Sequence, residues 1–66
     1  MTTTYYGAIC CEFDKSVERI QGNYPYKPKV ETAGMSTIFR WYESFQERED
    51  FISYAVETLK YHIITD

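Results

Sequence analysis

The chain has 66 residues, enough for one domain, and it carries a formal net charge of −3 with a pI near 5.0. The acidic balance disfavours nucleic acid and anionic membranes as main partners and mildly favours a basic one. A hydrophobic share of 44% argues against disorder, and an aromatic share of 18% supplies large, stiff side chains of the kind that anchor protein interfaces.

Residues 2–13 are rich in β-forming residues and predict the first strand. Neighbouring side chains of a strand point to opposite faces, so Ile9, Cys11 and Phe13 share one face, which we expect to be the core face. Gly7 within this strand indicates a bulge or the close approach of another backbone.

The only cysteines, Cys10 and Cys11, are adjacent. Their side chains diverge in a strand, so they are badly placed to bridge each other, and the chain fits a reducing compartment. The first residues have neither a basic region nor an apolar run, and no apolar stretch approaches a membrane span. We therefore expect a soluble, cytoplasmic protein without a membrane partner.

Residues 14–23 allow two interpretations. A tight turn at residues 14–16 could lead into a strand at 17–21, forming a hairpin with the first strand. Asp14 could instead cap a short helix that ends at Gly22. We favour the hairpin, because Val17 and Ile20 alone make a poor apolar stripe for a helix.

The two prolines of the chain fall in residues 24–28, which predict an exposed, extended loop. Residues 29–32 extend for a short distance, and Ala33 and Gly34 indicate a turn. Residues 36–45 form the strongest predicted strand, running from Ser36 to Phe45. Its faces carry two different sets of side chains, namely Phe39, Trp41 and Phe45 on one side and Ile38, Arg40 and Tyr42 on the other.

Residues 44–66 predict a C-terminal helix running from Ser44 to Asp66, around which the rest of the chain is organised. Apolar side chains at helical spacing draw one stripe along it: Phe51, Ile52, Ala55, Val56, Leu59 and Ile63. Ser44 and Glu47 have the spacing of a capping box, and Lys60 lies near the far end, where positive charge suits the helix dipole.

Together these elements predict an α+β fold in a single domain, residues 1–66. The sheet is an antiparallel β-meander of three or four strands, with the C-terminal helix packed on one face. We expect the other face to keep a set of side chains near water or against a partner: Tyr6, Ile38, Arg40 and Tyr42.

No catalytic, metal or cofactor site is predicted. His62 is the single histidine, which is too little for a metal site with two adjacent cysteines. The three glycines are too far apart for a phosphate loop. A minor alternative is an enzyme or ligand-binding domain that uses Cys11 or His62, with Asp66 as a possible third group.

What remains is an interaction surface. The residues predicted to bind a partner are three aromatic anchors, Tyr24, Tyr26 and Trp41, and an acidic cluster, Glu43, Glu47, Glu49 and Asp50. The competing interpretation is that the tyrosines are rims of the core and that the acids only cap the helix.

Acidic, aromatic-rich domains of this size resemble the inhibitors that phages and other mobile elements use against host machinery, anti-CRISPR proteins among them. The resemblance is one of size and composition and rests on no motif. It implies a non-enzymatic module that occludes a larger, basic, nucleic-acid-handling protein without binding nucleic acid itself. The alternative is a self-associating homodimer domain, in which a sheet face or edge pairs with its twin.

Overall fold

The computed structural model describes residues 2–34 and 37–64 and has one helix packed on a five-stranded sheet. In chain order the elements are β1 (Thr3–Cys11), β2 (Ser16–Tyr24), β3 (Glu31–Ala33), β4 (Thr37–Tyr42), α1 (Phe45–Glu57) and β5 (His62–Ile63). The order across the sheet is β3-β4-β1-β2-β5. The predicted α+β class is confirmed, but the sheet is mixed and has one strand more than expected. It is also not a simple meander, because β4 pairs with β1.

Strands β1 and β2 form a long antiparallel hairpin. Their register is continuous from the pair Thr3 and Tyr24 to the pair Cys11 and Ser16, so Gly7 does not mark a bulge. The turn between them places Lys15 in the left-handed region at φ 55°. The hairpin interpretation of residues 14–23 is confirmed.

Strand β4 pairs with the other edge of β1, and the short β3 pairs with the outer edge of β4, both antiparallel. Gly34 follows β3 at φ 73° and forms the predicted turn. Strand β4 ends at Tyr42, earlier than predicted, because Ser44 caps α1 and Phe45 begins it. The predicted start at Ser36 lies outside the described residues.

Helix α1 is much shorter than predicted. Its Ser44 hydroxyl accepts from the Glu47 backbone N–H at 3.5 Å, which confirms the predicted N-cap. The helix ends at Glu57, and Lys60 then takes a left-handed φ of 63°. The predicted continuation of the helix beyond Glu57 is wrong as far as residue 64. The rest of the predicted helix, up to Asp66, lies outside the described residues.

Strand β5 occupies part of the segment predicted as the last helical turns, and it pairs in parallel with the start of β2. The His62 N–H donates to the Lys15 carbonyl at 2.9 Å, and the Ile64 N–H donates to the Val17 carbonyl at 3.0 Å. Residues 61–64 are aromatic, β-branched or histidine, which suit a strand, and the β2 edge offers them backbone partners. Tertiary pairing therefore overrides the helical periodicity.

The core lies on the sheet face opposite to the predicted one. Ala8, Cys10 and Val17 are buried under Ile52 of α1, whereas Phe13 is 88% exposed in the hairpin turn. Small side chains at Ala8 and Cys10 let the helix approach the sheet closely. The prediction wrongly favoured the face of Ile9, Cys11 and Phe13 because it counted large apolar residues rather than room for a helix.

Three of the side chains expected near water, Tyr6, Arg40 and Tyr42, contact aromatic rings of α1, although Arg40 stays exposed as predicted. The Arg40 guanidinium lies 5.2 Å from the ring centre of Phe51, and the Tyr42 ring lies 6.0 Å from the same ring. Tyr6 contacts Phe45 edge to face at 5.7 Å. We call the sheet face under α1 the helix face and the opposite one the open face.

Candidate protein-binding face

The open face carries a cluster of aromatic rings that takes the place of a second packing layer. The rings of Tyr24 and Trp41 meet edge to face at 5.3 Å, and the Tyr24 ring lies 6.4 Å from that of Tyr5. Tyr5 is 8% exposed as a result, although no helix of the described residues lies on this face. The aromatic surplus of the sequence is therefore used partly to cover the open face.

A glycine makes room for these rings. A Cβ placed on Gly7 would lie 2.8 Å from Ile20 Cγ1 and 2.9 Å from Trp41 Cε3, closer than any real contact. The close approach predicted at Gly7 is thus made mainly by side chains of the two neighbouring strands. Because β1 has no side chain there, Trp41 can lie across the centre of the sheet.

The three predicted aromatic anchors come together. Tyr24, Tyr26 and Trp41 line one cleft of ≈ 370 Å³ at the edge of the aromatic cluster, with Pro28, Lys29 and Glu31 completing its walls. Tyr26 is 69% exposed, while Tyr24 and Trp41 are half-buried. The cleft thus combines one free ring with two rings that are already held in place.

The predicted acidic cluster does not form one free patch. Glu43 lies 3.8 Å from Lys27 in the loop that carries Tyr26, and both side chains are exposed. Glu47 is exposed in the first turn of α1, and the Asp50 carboxylate accepts from Gln46 at 2.8 Å.

The fourth acid, Glu49, is neutralised locally. Its two carboxylate oxygens accept from Arg19 Nε at 3.0 Å each, and one of them also lies 3.2 Å from Arg48 Nε. Hydrogen bonding from Arg19 lowers the pKa of Glu49 below its usual value, with the charges of both arginines acting in the same sense. Its charge is therefore matched within the fold.

Two other carboxylates flank the open face and were missed by the sequence reasoning. The register aligns Glu31, Phe39, Ile9 and Glu18 in one row across the sheet. The acids stand about 14 Å apart, three strand spacings of roughly 4.8 Å. Period-2 alternation places Glu18 beside Ile20 on one face, but only the pairing of β3 brings Glu31 to the other end of the row.

The arginines lie on the other side of the sheet. Arg19 and Arg40 belong to the helix face by register, and Arg48 lies between α1 and the sheet. Arg48 is 4% exposed, donates to the Ile20 carbonyl at 2.8 Å and lies about 5 Å from two ring centres, at 5.4 Å from Tyr6 and 5.1 Å from Phe45. The open face is thus apolar and flanked by two acids, with Lys29 as the basic side chain in the wall of its cleft.

The hairpin turn brings His62, which is distant in the sequence, close to Cys11, Asp14 and Ser16. Cys11, Ser16 and His62 are aligned across three strands, and Asp14 lies beside them in the turn. The buried Ser16 hydroxyl donates to the Asp14 carboxylate, which is the main cause of a lowered pKa for Asp14. Within residues 2–34 and 37–64, no three His, Cys, Asp or Glu side chains converge as metal ligands. In this geometry the hydrogen bond between Ser16 and Asp14 stabilises the hairpin turn.

The helix face has a second cleft of ≈ 310 Å³, lined in part by Cys10, Arg40 and Tyr61. Burial raises the pKa of the Cys10 thiol and also raises that of the Tyr61 phenol. The Cys10 thiol therefore stays protonated at neutral pH, which leaves it a weak nucleophile.

Comparisons with protein-family models, with curated proteins and with solved structures gave no match. Helix α1 is the one helix of the described residues. It has 13 residues and is not long and apolar enough to cross a membrane. The open face is therefore the feature of the molecule that bears on its function.

Proposed function

We propose that this chain is a small, non-enzymatic protein-binding module whose open face docks on a basic and apolar surface of a larger protein. The observation that carries the proposal is the convergence of Tyr24, Tyr26 and Trp41 on one cleft of an uncovered sheet face. Tyrosine and tryptophan are the residues that most often dominate binding energy at protein interfaces.

The state of these rings supports a docking role. Tyr24 and Trp41 are held by contacts to each other and to the glycine-lined sheet, so little side-chain freedom is lost when a partner covers them. Tyr26 projects from the loop and is free to enter a pocket of the partner. A rigid floor beside one projecting ring suits a standard interface, in which a few anchors carry the affinity.

The charges indicate the chemistry of the partner. Glu18 and Glu31 flank the apolar row, the arginines of the chain lie on the helix side, and Lys29 is the basic residue in the wall of the cleft. A partner with Lys or Arg side chains about 14 Å apart around an apolar patch would match both acids, at three strand spacings. Nucleic-acid-handling proteins present such basic surfaces.

Occlusion is the mode of action that this surface suits. A domain of 7.9 kDa that covers a basic groove excludes the natural ligand of that groove without any chemistry of its own. This is how we propose that the chain works, as an inhibitor of host machinery in the class that includes anti-CRISPR proteins. The predicted acids of the α1 start, Glu47 and Asp50, lie on the helix side of the molecule and are not part of this proposed contact.

The test is a pull-down from bacterial lysate, followed by affinity measurement with the partner recovered. A double charge reversal, Glu18→Lys with Glu31→Lys, should raise the dissociation constant, most strongly at low salt. The matched control, Glu47→Lys with Asp50→Lys, makes the same charge change on the other side of the molecule and should leave binding within about twofold. Loss with the control pair alone would overturn the open-face placement, and binding unaffected by either pair would overturn the electrostatic match.

The role of the aromatic cleft is tested separately, with its own control substitution. Tyr26→Ala should weaken binding by about tenfold or more, as expected for an interface anchor, without lowering the melting temperature. Tyr54→Ala removes a comparably exposed tyrosine from α1, where 52% of Tyr54 is accessible against 69% of Tyr26, and should not change the affinity. Equal effects of the two substitutions would refute a specific role for the cleft.

A further inference from the structure

The cleft of the open face has walls that favour a positive charge. Three aromatic rings line it, those of Tyr24, Tyr26 and Trp41, and Glu31 adds a carboxylate. The face of an aromatic ring carries a negative electrostatic potential and attracts a cation placed above it, most strongly for tryptophan. We propose that this cleft binds an alkylammonium cation, which in the docked state is the end of a lysine side chain of the basic partner. The assignment to a partner's lysine rests on the proposed function, whereas the cation site itself does not.

The arrangement of the rings favours a compact cation over a flat one. The ring planes of Tyr24 and Trp41 stand at 81° to each other, with their centres 5.3 Å apart. Two walls at nearly a right angle form a corner, in which a compact ammonium group can lie near both rings. A planar guanidinium stacks on one ring face and cannot lie flat on two perpendicular walls. We therefore expect lysine rather than arginine as the occupant.

Within the described residues, no cation of the chain itself occupies these ring faces. The cation–π contacts among residues 2–34 and 37–64 are made by Arg40 and Arg48, which lie on the helix side. Lys27, in the loop that carries Tyr26, is paired with Glu43 at 3.8 Å and does not line the cleft. The rings of the cleft can therefore attract a cation from another molecule.

Lys29, in the wall of the cleft, opposes a cation. Its charge formally cancels that of Glu31, so the selectivity of the cleft for a cation comes from the rings. The two charges are held differently, because the backbone of Glu31 is fixed by pairing with Phe39, whereas Lys29 precedes β3. A lysine carries its charge on a flexible four-carbon stem. The Lys29 ammonium can thus move away from an incoming cation, while the Glu31 carboxylate stays beside it.

Small ions that copy single side chains test the site on the chain alone. Butylammonium is the side chain of lysine as a free ion, 1-butanol is its neutral counterpart of similar shape, and propylguanidinium copies arginine. Binding is followed by the fluorescence of Trp41, the single tryptophan, and by proton NMR, at constant ionic strength. Butylammonium should bind roughly two- to fivefold more tightly than 1-butanol, with the methylene protons next to its nitrogen shifted upfield by the ring currents. No binding of butylammonium, equal binding of the ion and the alcohol, or tighter binding of propylguanidinium would overturn the proposal.

Substitutions separate the contributions of the rings and of the charges. Tyr26→Phe keeps a ring face and should preserve the preference for butylammonium over 1-butanol, whereas Tyr26→Leu keeps only an apolar side chain and should reduce that preference by about twofold. Glu31→Gln should weaken butylammonium binding by about twofold, and Lys29→Gln should strengthen it by a similar factor. The matched control Glu57→Gln removes an exposed carboxylate at the end of α1 and should have no effect. Weaker binding by Lys29→Gln, or equal effects of Glu31→Gln and Glu57→Gln, would refute the arrangement of charges.

The outcomes separate this inference from the proposed function. Binding of butylammonium by a chain that captures no protein partner would support the cation site and overturn the docking role. A partner that docks on the open face of a chain that does not bind butylammonium would support the docking role and overturn the cation site.

Discussion

Replacing Arg48 is the most informative test of how this fold is held together. Its guanidinium is 4% exposed, donates to the Ile20 carbonyl at 2.8 Å and lies between the rings of Tyr6 and Phe45. A hydrogen bond from a charged donor contributes about 1.5–3 kcal/mol, and each cation–π contact about 0.5–1 kcal/mol. Arg48→Ala should therefore lower the free energy of unfolding by roughly 3–5 kcal/mol, the range found when one partner of a buried polar pair is removed.

That loss is large for a chain of 66 residues, whose total stability is expected to be about 3–10 kcal/mol. Arg48→Met should cost about 2 kcal/mol less than Arg48→Ala, since it fills most of the volume and buries no charge. Arg40→Ala is the control, because Arg40 is exposed and lies over Phe51 alone; it should cost about 1 kcal/mol or less.

The assay is urea unfolding followed by the fluorescence of Trp41, the single tryptophan, with circular dichroism as a second probe. The two probes should coincide for every variant that is folded in buffer. A cost below about 1 kcal/mol for Arg48→Ala would refute the reasoning, because no buried charged donor could be lost so cheaply. An Arg48→Met variant less stable than Arg48→Ala would refute the account of its volume.

Two further predictions concern the sheet and its acid sensitivity. Gly7→Ala should destabilise the fold by about 1–3 kcal/mol, because the new methyl group would collide with Ile20 and Trp41; a raised melting temperature would contradict this, since alanine is otherwise preferred to glycine in a strand. The pKa of Glu49 is lowered in the folded state, so its stabilisation is complete above its unfolded value of 4.5 and is lost as the pH falls through the lower folded value. Melting curves between about pH 3 and 7 should show a smaller acid-induced loss for Glu49→Gln than for the native chain, by about 1 kcal/mol or less for a pair at the surface, and an unchanged pH dependence would show that the Arg19 contact contributes nothing.

Local sequence signals predicted the elements well where they acted over short range. Three local signals have a direct physical effect on the backbone nearby. They are the serine before Phe45, the glycine of the turn at Gly34 and the β-forming residues of the first strand. Their predictions are confirmed by the Ser44 cap, by the φ of 73° at Gly34 and by β1. The same local information favoured the hairpin, since it depended only on residues 14–23 and their neighbours.

Two features depended on contacts between distant segments, and the local signals pointed the wrong way. Residues 61–64 continued the helical stripe, yet the free edge of β2 is close enough in space to draw them into β5. The choice of core face was decided by room for α1 over Ala8 and Cys10, a property of the assembled sheet rather than of one strand.

For the candidate site, the sequence identified the aromatic residues but not their surroundings. Tyr24, Tyr26 and Trp41 were predicted as anchors on grounds of type and loop context, and they share one cleft. The acids were chosen from the start of the helix because they are close together in the sequence. Glu18 and Glu31 lie at the same level of the sheet through pairings that no spacing in the chain reveals.

The aromatic rings of the open face serve both the stability of this small chain and its proposed docking. Half-buried rings over Gly7 and Gly22 remove part of the open face from water. The described sheet can therefore be stable although a helix packs on one of its faces only. The rings still leave an apolar surface that a partner can cover at little cost in ordering.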